Sequence, residues 1–323
     1  HTEKADMQAD RSIPTLDDVA KAAGVSTATV SRCLNLPERV AKTTLDRVLK
    51  AVKDLGYTPN FGARVMAARR TFTIGAIIPT MENAIFARGL QAFQEELRNH
   101  GYTLLVSSSA YRPDVEKDQI KALVARGADG LLLIGYDREP EIYKYLEQQK
   151  VPVLIAWAFS KNHDQPSIGF NNRNSMRGLA DQVIALGHQH IGVISGITDG
   201  NDRATQRLEG IREAVQKAGN NPDDLVVIET GFGIQNGANA LDELLQASPR
   251  PTAVMCGNDV LAVGALRRAK ELGIDVPTDL SITGFDDIEI AQIVDPSLTT
   301  VHVPHREMGC KAATKLVEMV ERR

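Results

Sequence analysis

A ten-residue stretch near the amino terminus, STATVSRCLN, combines small polar side chains with a single arginine. If this stretch is helical, Val30 and Leu34 face inward with the preceding Val25, while the small polar side chains and Arg32 face outward. Small side chains let a helix approach DNA closely, and an arginine can reach guanine in the major groove. The pattern therefore predicts DNA recognition, but an ordinary surface pair of helices would also fit these residues.

The flanking residues supply the elements that would hold this helix in place. Thr15 stands before an acidic first turn, so its hydroxyl can cap a helix that Gly24 then ends with a tight turn. Ser26 or Thr27 can cap the next helix. Residues 42–55 predict a third helix, whose apolar positions close a three-helix core: Leu45, Val48, Leu49, Val52 and Leu55.

The charges are distributed unevenly along the chain. Residues 11–70 contain 11 Lys and Arg against 5 Asp and Glu, whereas the whole chain contains 37 against 41. A cationic head therefore precedes an anionic body. This asymmetry favours phosphate binding by the head, with a strong dependence on salt concentration.

The run from Thr15 through Arg70, with DVAKAAGVSTATVSRCLN, LGYTPN and ARVMA, resembles the lactose-repressor and purine-repressor family of bacterial regulators. The resemblance continues to the end of the chain, and it implies a headpiece joined to a two-lobed body. It also implies that Thr27, Ala28 and Arg32 face bases, and that residues 60–68 match a hinge helix that folds on operator DNA. Met66 occupies the position of a leucine wedged into the minor groove, a role that methionine can fill; otherwise it is a linker residue.

We therefore expect DNA contacts from the first cap, the second helix and the hinge: Thr15, Ser26, Thr27, Ala28, Thr29, Ser31, Arg32, Asn35, Asn60, Ala63, Arg64 and Met66. The expected partner is a pseudo-palindromic double-stranded operator bound by a homodimer. The expected domains are a headpiece (13–59), a hinge or linker (60–71), a first lobe (72–160 and 298–323) and a second lobe (161–297).

From Thr73 onward, short apolar runs alternate with helical stretches, which is typical of parallel sheets with crossover helices. Eight strands are predicted, at 74–78, 103–107, 130–134, 153–156, 190–195, 226–229, 253–256 and 280–284. We expect an all-α helix-turn-helix headpiece followed by an α/β, two-lobed effector domain like the periplasmic binding proteins. The segment near Thr299 would cross back to the first lobe, where the final helix, 306–322, would pack.

Ligands of open parallel sheets bind beyond the carboxyl ends of the strands. The candidate ligand residues lie after such ends: Phe86, Tyr136, Trp157, Arg207, Phe232, Asn258 and Asp286. The family resemblance implies that three of them, Arg207, Asn258 and Asp286, match effector contacts. Aromatic rings offer faces for stacking, and charged groups offer hydrogen bonds to a polyhydroxylated ligand.

Each of these candidates also has a structural interpretation. Asp286 could cap a turn, Asn258 could cap the following helix, and Arg207 could pair with a carboxylate across the cleft. The aromatic residues could be part of the core. Trp157 replaces an aspartate found in many relatives, which predicts either a stacking surface or a narrower pocket.

The sequence does not favour catalysis. It contains neither a GxSxG elbow nor the glycine-rich GxxxxGK or GxGxxG phosphate loops. Asp286 and Asp287 would point in opposite directions from a strand end, and His188 and His190 fit a helix-to-strand turn better than a metal site. We expect no catalytic residue, no cofactor and no metal.

The expected function is a sequence-specific transcriptional regulator, most simply a repressor, controlled by a sugar, sugar acid or nucleoside. No apolar run is long enough to cross a bilayer and the amino terminus has no signal-like apolar segment, so we expect a cytoplasmic protein without membrane contact. The alternative is the solute-binding protein of a sugar transporter, which the cationic headpiece disfavours. A regulator that recognises a phosphorylated carrier protein would need a further surface patch on the first lobe.

Overall fold

The computed structural model describes residues 13–58, 70–82 and 84–322. The chain divides into two units after Thr71. Four predicted hinge contacts lie outside the described residues: Asn60, Ala63, Arg64 and Met66. Within the described ranges, no helix has the length and apolar character needed to span a bilayer.

The first unit is the predicted helix-turn-helix, with helices α1 (Leu16–Ala23), α2 (Thr27–Asn35) and α3 (Lys42–Leu55). The hydroxyl of Thr15 accepts the amide of Asp18, and the Asp18 carboxylate accepts the amide of Thr15 at 2.8 Å. This reciprocal cap fixes where α1 begins. Val19, Val30 and Val48 contribute one fully buried side chain from each helix, so the three helices close a small core.

In the second unit, strands and helices alternate along the chain as the hydrophobic pattern predicts. The elements are β1 (Thr73–Ile78), α4 (Ala87–Asn99), β2 (Thr103–Ser108), α5 (Pro113–Ala125), β3 (Gly130–Ile134), α6 (Pro140–Gln148), β4 (Val153–Ala156), β5 (Ser167–Ile168), α7 (Asn172–Ala185), β6 (Ile191–Gly196), α8 (Asp202–Lys217), β7 (Val226–Thr230), α9 (Ile234–Leu244), β8 (Ala253–Cys256), α10 (Asp259–Glu271), β9 (Ser281–Asp286), α11 (Ile290–Ile293), β10 (Thr299–His302) and α12 (His305–Glu321).

The strands form two five-stranded parallel sheets, which define the two lobes. The first sheet has the order β2-β1-β3-β4-β5, and the second has the order β10-β9-β8-β6-β7. The central strands are almost completely buried because helices cover both faces of each sheet. Such sheets present the carboxyl ends of their strands to a ligand.

Two short strands correct the lobe boundaries that we predicted. β5 pairs with β4, so the first sheet continues to Ile168 and does not end at residue 160. β10 pairs with β9, so residues 299–302 belong to the second sheet and not to the first lobe. β5 has two residues and β10 has no apolar run, so neither has a clear hydrophobic pattern in the sequence. The chain returns to the first lobe after β10, where α12 packs against α4, β3 and β4.

Candidate functional site

The recognition surface of the headpiece lies on α2 and its cap. The exposed positions are Ser26, Thr27, Ala28, Arg32 and Asn35, whereas Thr29 and Ser31 are half-buried. Several of these side chains already have local partners. The Ser26 hydroxyl caps α2 by accepting a hydrogen bond from the main-chain amide of Thr29 at 3.2 Å. The side-chain nitrogen of Asn35 donates to the main-chain carbonyl of Ser31 at 2.9 Å. Thr27, Ala28 and Arg32 are therefore the positions best placed to contact a further molecule.

A narrow cavity of about 40 Å³ lies between the lobes, at the carboxyl ends of strands from both sheets. It is lined by six of the seven candidate ligand residues: Phe86, Trp157, Arg207, Phe232, Asn258 and Asp286. Pockets that enclose a small molecule usually hold about 300–1,000 Å³. The lobes or the lining side chains must therefore move apart before a sugar-sized ligand can enter.

Arg207, on α8, is the central cation of this cavity. Its Nε donates to the Asn172 side-chain oxygen at 2.8 Å, and its terminal nitrogen donates to the Gly257 carbonyl at 2.7 Å. The guanidinium lies 3.7 Å from the centre of the Phe285 ring. These contacts fix the plane of the guanidinium and direct it towards Asp286, 3.5 Å away.

Asp286 ends β9, and its carboxylate is almost completely buried. Neither carboxylate oxygen has a hydrogen-bond partner within the described residues. Burial raises the pKa of this carboxyl to about 7, although the Arg207 cation opposes the effect. A buried acceptor without partners is costly, so a ligand hydroxyl or amine that donates to it gains a strong hydrogen bond.

Asn258 combines a structural contact with an open one. Its side-chain oxygen accepts the Leu261 amide at 2.9 Å and so caps α10, as the structural interpretation predicted. Its buried side-chain nitrogen has no hydrogen-bond partner among the described residues, and the residue lines the cavity. The side chain therefore holds the helix and also offers a donor to a ligand.

Tyr136 is the one candidate ligand residue that does not line this cavity. Its ring stacks on His163 with the centroids 4.2 Å apart, and its main-chain amide donates to Asp202 at 2.8 Å. The preceding Gly135 has a φ of 72°. This left-handed turn changes the direction of the chain after β3.

The aromatic residues close the cavity on two sides. Phe86 meets the Trp157 ring edge-on at 5.4 Å, and the indole nitrogen of Trp157 donates to His305 at 3.2 Å. Trp157 therefore narrows the pocket, and its indole N–H is already engaged. On the other side Phe232, from the second lobe, stacks on Tyr111, from the first, at 4.5 Å. Burial raises the pKa of Tyr111 to about 12, so its hydroxyl stays neutral.

Sequence reasoning missed several residues of this cavity. Tyr111 follows the carboxyl end of β2, a signal that could have identified it. Arg203, which also lines the cavity, donates to the first-lobe carbonyl of Ile134 at 3.2 Å. With the Asp202–Tyr136 contact, this bond ties the start of α8 to the end of β3. The start of α8 therefore connects the two lobes directly.

Comparison with known proteins identifies the family to which this architecture belongs. Residues 15–60 match the model of the bacterial regulatory proteins of the lacI family, and residues 180–323 match a periplasmic binding protein-like domain. The HTH-type transcriptional repressor CytR of Escherichia coli (strain K12) is 34% identical over 95% of this chain and 90% of that protein.

Two solved structures are similar over nearly the whole chain. A lacI-family transcriptional regulator from Silicibacter pomeroyi has a TM-score of 0.87 and 28% identity, covering 95% of this chain and 92% of that one. The lac repressor dimer bound to operator and the anti-inducer ONPF has a TM-score of 0.84 and 27% identity, covering 96% and 94%. The chain belongs to the lacI family of bacterial regulatory proteins, and it is a DNA-binding transcriptional regulator with an effector-binding domain.

Proposed function

We propose that this protein is a repressor that binds a pseudo-palindromic operator as a homodimer. Binding of a small molecule between the lobes either lowers or raises its affinity for the operator. The observation that carries the effector part is the buried Asp286 carboxylate, which faces Arg207 and accepts no hydrogen bond from any residue that the structure describes. The operator part is supported by the exposed face of Thr27, Ala28 and Arg32 and by the operator named for the lac repressor dimer.

The chemistry of the cavity favours a sugar or a sugar acid as the effector. Asp286 accepts hydrogen bonds from hydroxyl groups, Asn258 donates one, and Arg207 can bind a carboxylate or a ring oxygen. The rings of Phe86 and Phe232 cover the apolar face of such a ligand. A nucleoside would use the same rings for its base and the same polar groups for its ribose.

The proposed domains are a headpiece and linker up to residue 71, followed by two lobes whose boundaries take β5 into the first and β10 into the second. We propose that the effector is bound without being converted, and that the protein works in the cytoplasm, where its operator is accessible. Incubation with a bound sugar should return that sugar unchanged, which chromatography would show.

A thermal-shift screen tests the effector proposal. Full-length protein is heated with a panel of sugars, sugar acids and nucleosides, and a ligand that prefers the folded state raises the melting temperature. We expect at least one panel compound to do so, at a stabilisation of about 3 kcal/mol when present at 100 times its dissociation constant. The Arg207→Gln variant should lose this shift, because the cation that faces Asp286 is removed.

The matched control is Arg267→Gln, which removes a half-exposed arginine from α10 outside the cavity. This variant should keep the full shift. A compound that stabilises wild type and Arg207→Gln equally would contradict the proposed site. If a headpiece deletion binds DNA as well as the full chain does, the proposed operator contacts of the headpiece are wrong.

A further inference from the structure

Five residues form a closed polar ring behind the cavity. The Trp157 indole donates to His305 Nδ1 at 3.2 Å, and the other His305 nitrogen lies 3.0 Å from the main-chain oxygen of Asp286. The Asp286 carboxylate faces Arg207 at 3.5 Å, and Arg207 donates to Asn172 at 2.8 Å. Asn172 completes the ring by donating to the main-chain oxygen of Trp157 at 3.0 Å.

The ring includes residues from both lobes and from the connections between them. Trp157 follows β4 in the first lobe, whereas Arg207 and Asp286 lie on α8 and β9 in the second. Asn172 begins α7, directly after the chain leaves the first sheet, and His305 begins α12, directly after the chain leaves the second. The two residues that do not line the cavity are therefore the two that lie where the chain passes between the lobes.

The partners of His305 determine its protonation state. An indole N–H can only donate, and a carbonyl oxygen can only accept. Nδ1 must therefore be unprotonated and Nε2 must carry the proton, which leaves one neutral tautomer. Burial lowers the pKa of His305 to about 4, so this neutral form persists at neutral pH.

The backbone at the two partners of His305 is held in uncommon conformations. Trp157 has a φ of 58° and Asp286 has a φ of 107°, and neither is a glycine. Such conformations cost free energy, and they persist only where the surroundings restrain them. His305 contacts both residues, and Asn172 restrains the main chain of Trp157 from its other side.

We propose that His305 is a positioning residue of the effector site: it holds the Trp157 ring and the Asp286 main chain in one arrangement, so that pocket geometry and lobe orientation change together. This inference rests on the proposed function, because it describes how that site senses its ligand. When the lobes separate, one of the two His305 bonds must break or one of the two partners must move. The five hydrogen-bonded residues thus link the opening of the cavity to one side chain, His305, at a connection between the lobes.

The test uses the only tryptophan of the chain as its probe, in full-length protein without any added ligand. Transverse-relaxation-optimised NMR of ¹⁵N-labelled protein shows one indole N–H resonance, which belongs to Trp157, and acrylamide quenching reports the exposure of the same ring. His305→Phe keeps a flat ring and removes both hydrogen bonds. We expect the indole resonance to move and its exchange with solvent to accelerate by about 2–10-fold, the factor that one lost hydrogen bond gives.

Two amide variants separate the two bonds of His305. An asparagine oxygen can take the place of Nδ1, so His305→Asn should keep the indole resonance near its wild-type position. A glutamine nitrogen can take the place of Nε2, so His305→Gln should keep the bond to Asp286 and lose the one to Trp157. The indole resonance should then move as it does in His305→Phe. General destabilisation would move the indole resonance in both variants, so a different response in His305→Asn and His305→Gln is specific to the two bonds. This comparison tests the proposal even if His305→Phe fails to fold.

The matched control is His188→Gln, which removes a histidine bonded to Thr252 at 2.8 Å near the surface of the second lobe. It should leave the Trp157 signals unchanged. An unchanged indole resonance in His305→Phe, or equal movement in the Asn and Gln variants, would overturn the proposal. No ligand is needed for this test, so its failure is distinguishable from failure of the sugar panel. If the NMR result confirms the role of His305 but no sugar binds, only the proposed function is rejected. If a sugar binds but the indole resonance does not respond as expected, only the role of His305 is rejected.

Discussion

Replacing Asp286 by asparagine should change how the stability of the effector domain depends on pH. Burial raises the pKa of this carboxyl from 3.8 to about 7. Between about pH 4 and pH 7 the folded protein therefore keeps a proton that the unfolded chain has released. Because the folded state binds more protons in this window, the free energy of unfolding falls as the pH rises. An asparagine cannot ionise, so the free energy of unfolding of the variant does not show this decrease.

The magnitude follows from the difference between the two pKa values. A difference of about 3 corresponds to about 4 kcal/mol, since each pKa unit is worth about 1.4 kcal/mol. The carboxylate is 1% exposed, so solvent screening reduces this figure little. Burial also raises the pKa of the neighbouring Asp259, to about 6, and adds a loss of the same sign. The comparison of wild type with Asp286→Asn isolates the contribution of Asp286.

Urea unfolding followed by Trp157 emission measures this effect, because the only tryptophan of the chain lies in the effector domain. The stability of Asp286→Asn relative to wild type should be nearly constant below pH 4, should rise through the window and should level off above pH 7. The control Asp164→Asn changes an exposed aspartate and should follow wild type throughout. If Asp286→Asn runs parallel to wild type from pH 4 to pH 8, the reasoning about this buried carboxyl is refuted.

Three further predictions concern the headpiece and the packing around the cavity. Arg32→Ala should weaken specific DNA binding by about 1–3 kcal/mol if Arg32 reads a base, and an unchanged ratio of specific to non-specific affinity at fixed salt would argue against that role. Thr15→Ala removes the cap of α1 and should cost about 1 kcal/mol, seen as about fivefold faster hydrogen exchange in α1 of the full chain; unchanged exchange would exclude the cap. Gly89→Ala would place a Cβ 2.4 Å from the Trp157 ring. It should displace the indole and alter Trp157 emission, and an unaltered spectrum would contradict this packing.

The parts of the fold that local signals determine could be predicted from the sequence. The α3 bounds follow from its apolar spacing and from Gly56, whose left-handed conformation ends the helix. The buried strands were predictable because each is a short apolar run between turn residues. β5 and β10 lack this pattern, because pairing with β4 and β9 and not their own composition makes them strands.

The candidate site was predictable only where chain position and chemistry agree. Arg207 lies on the helix that follows β6, and Asp286 is the last residue of β9. Their positions and the family resemblance predict both. Tyr136 follows a strand as well, but the turn at Gly135 directs it elsewhere. His305 has its role because of Trp157, 148 residues earlier in the chain. No local pattern carries a contact at that separation.

Whether the protein is an effector-controlled repressor is decided by selection of genomic DNA fragments with the full-length protein, with and without each sugar of the panel. We expect enrichment of a pseudo-palindromic sequence bound at least about 10³-fold more tightly than other DNA. A compound that raises the melting temperature should change this affinity by about 5–150-fold. Equal, weak binding to all fragments, unaltered by every compound, would contradict the proposed repressor function.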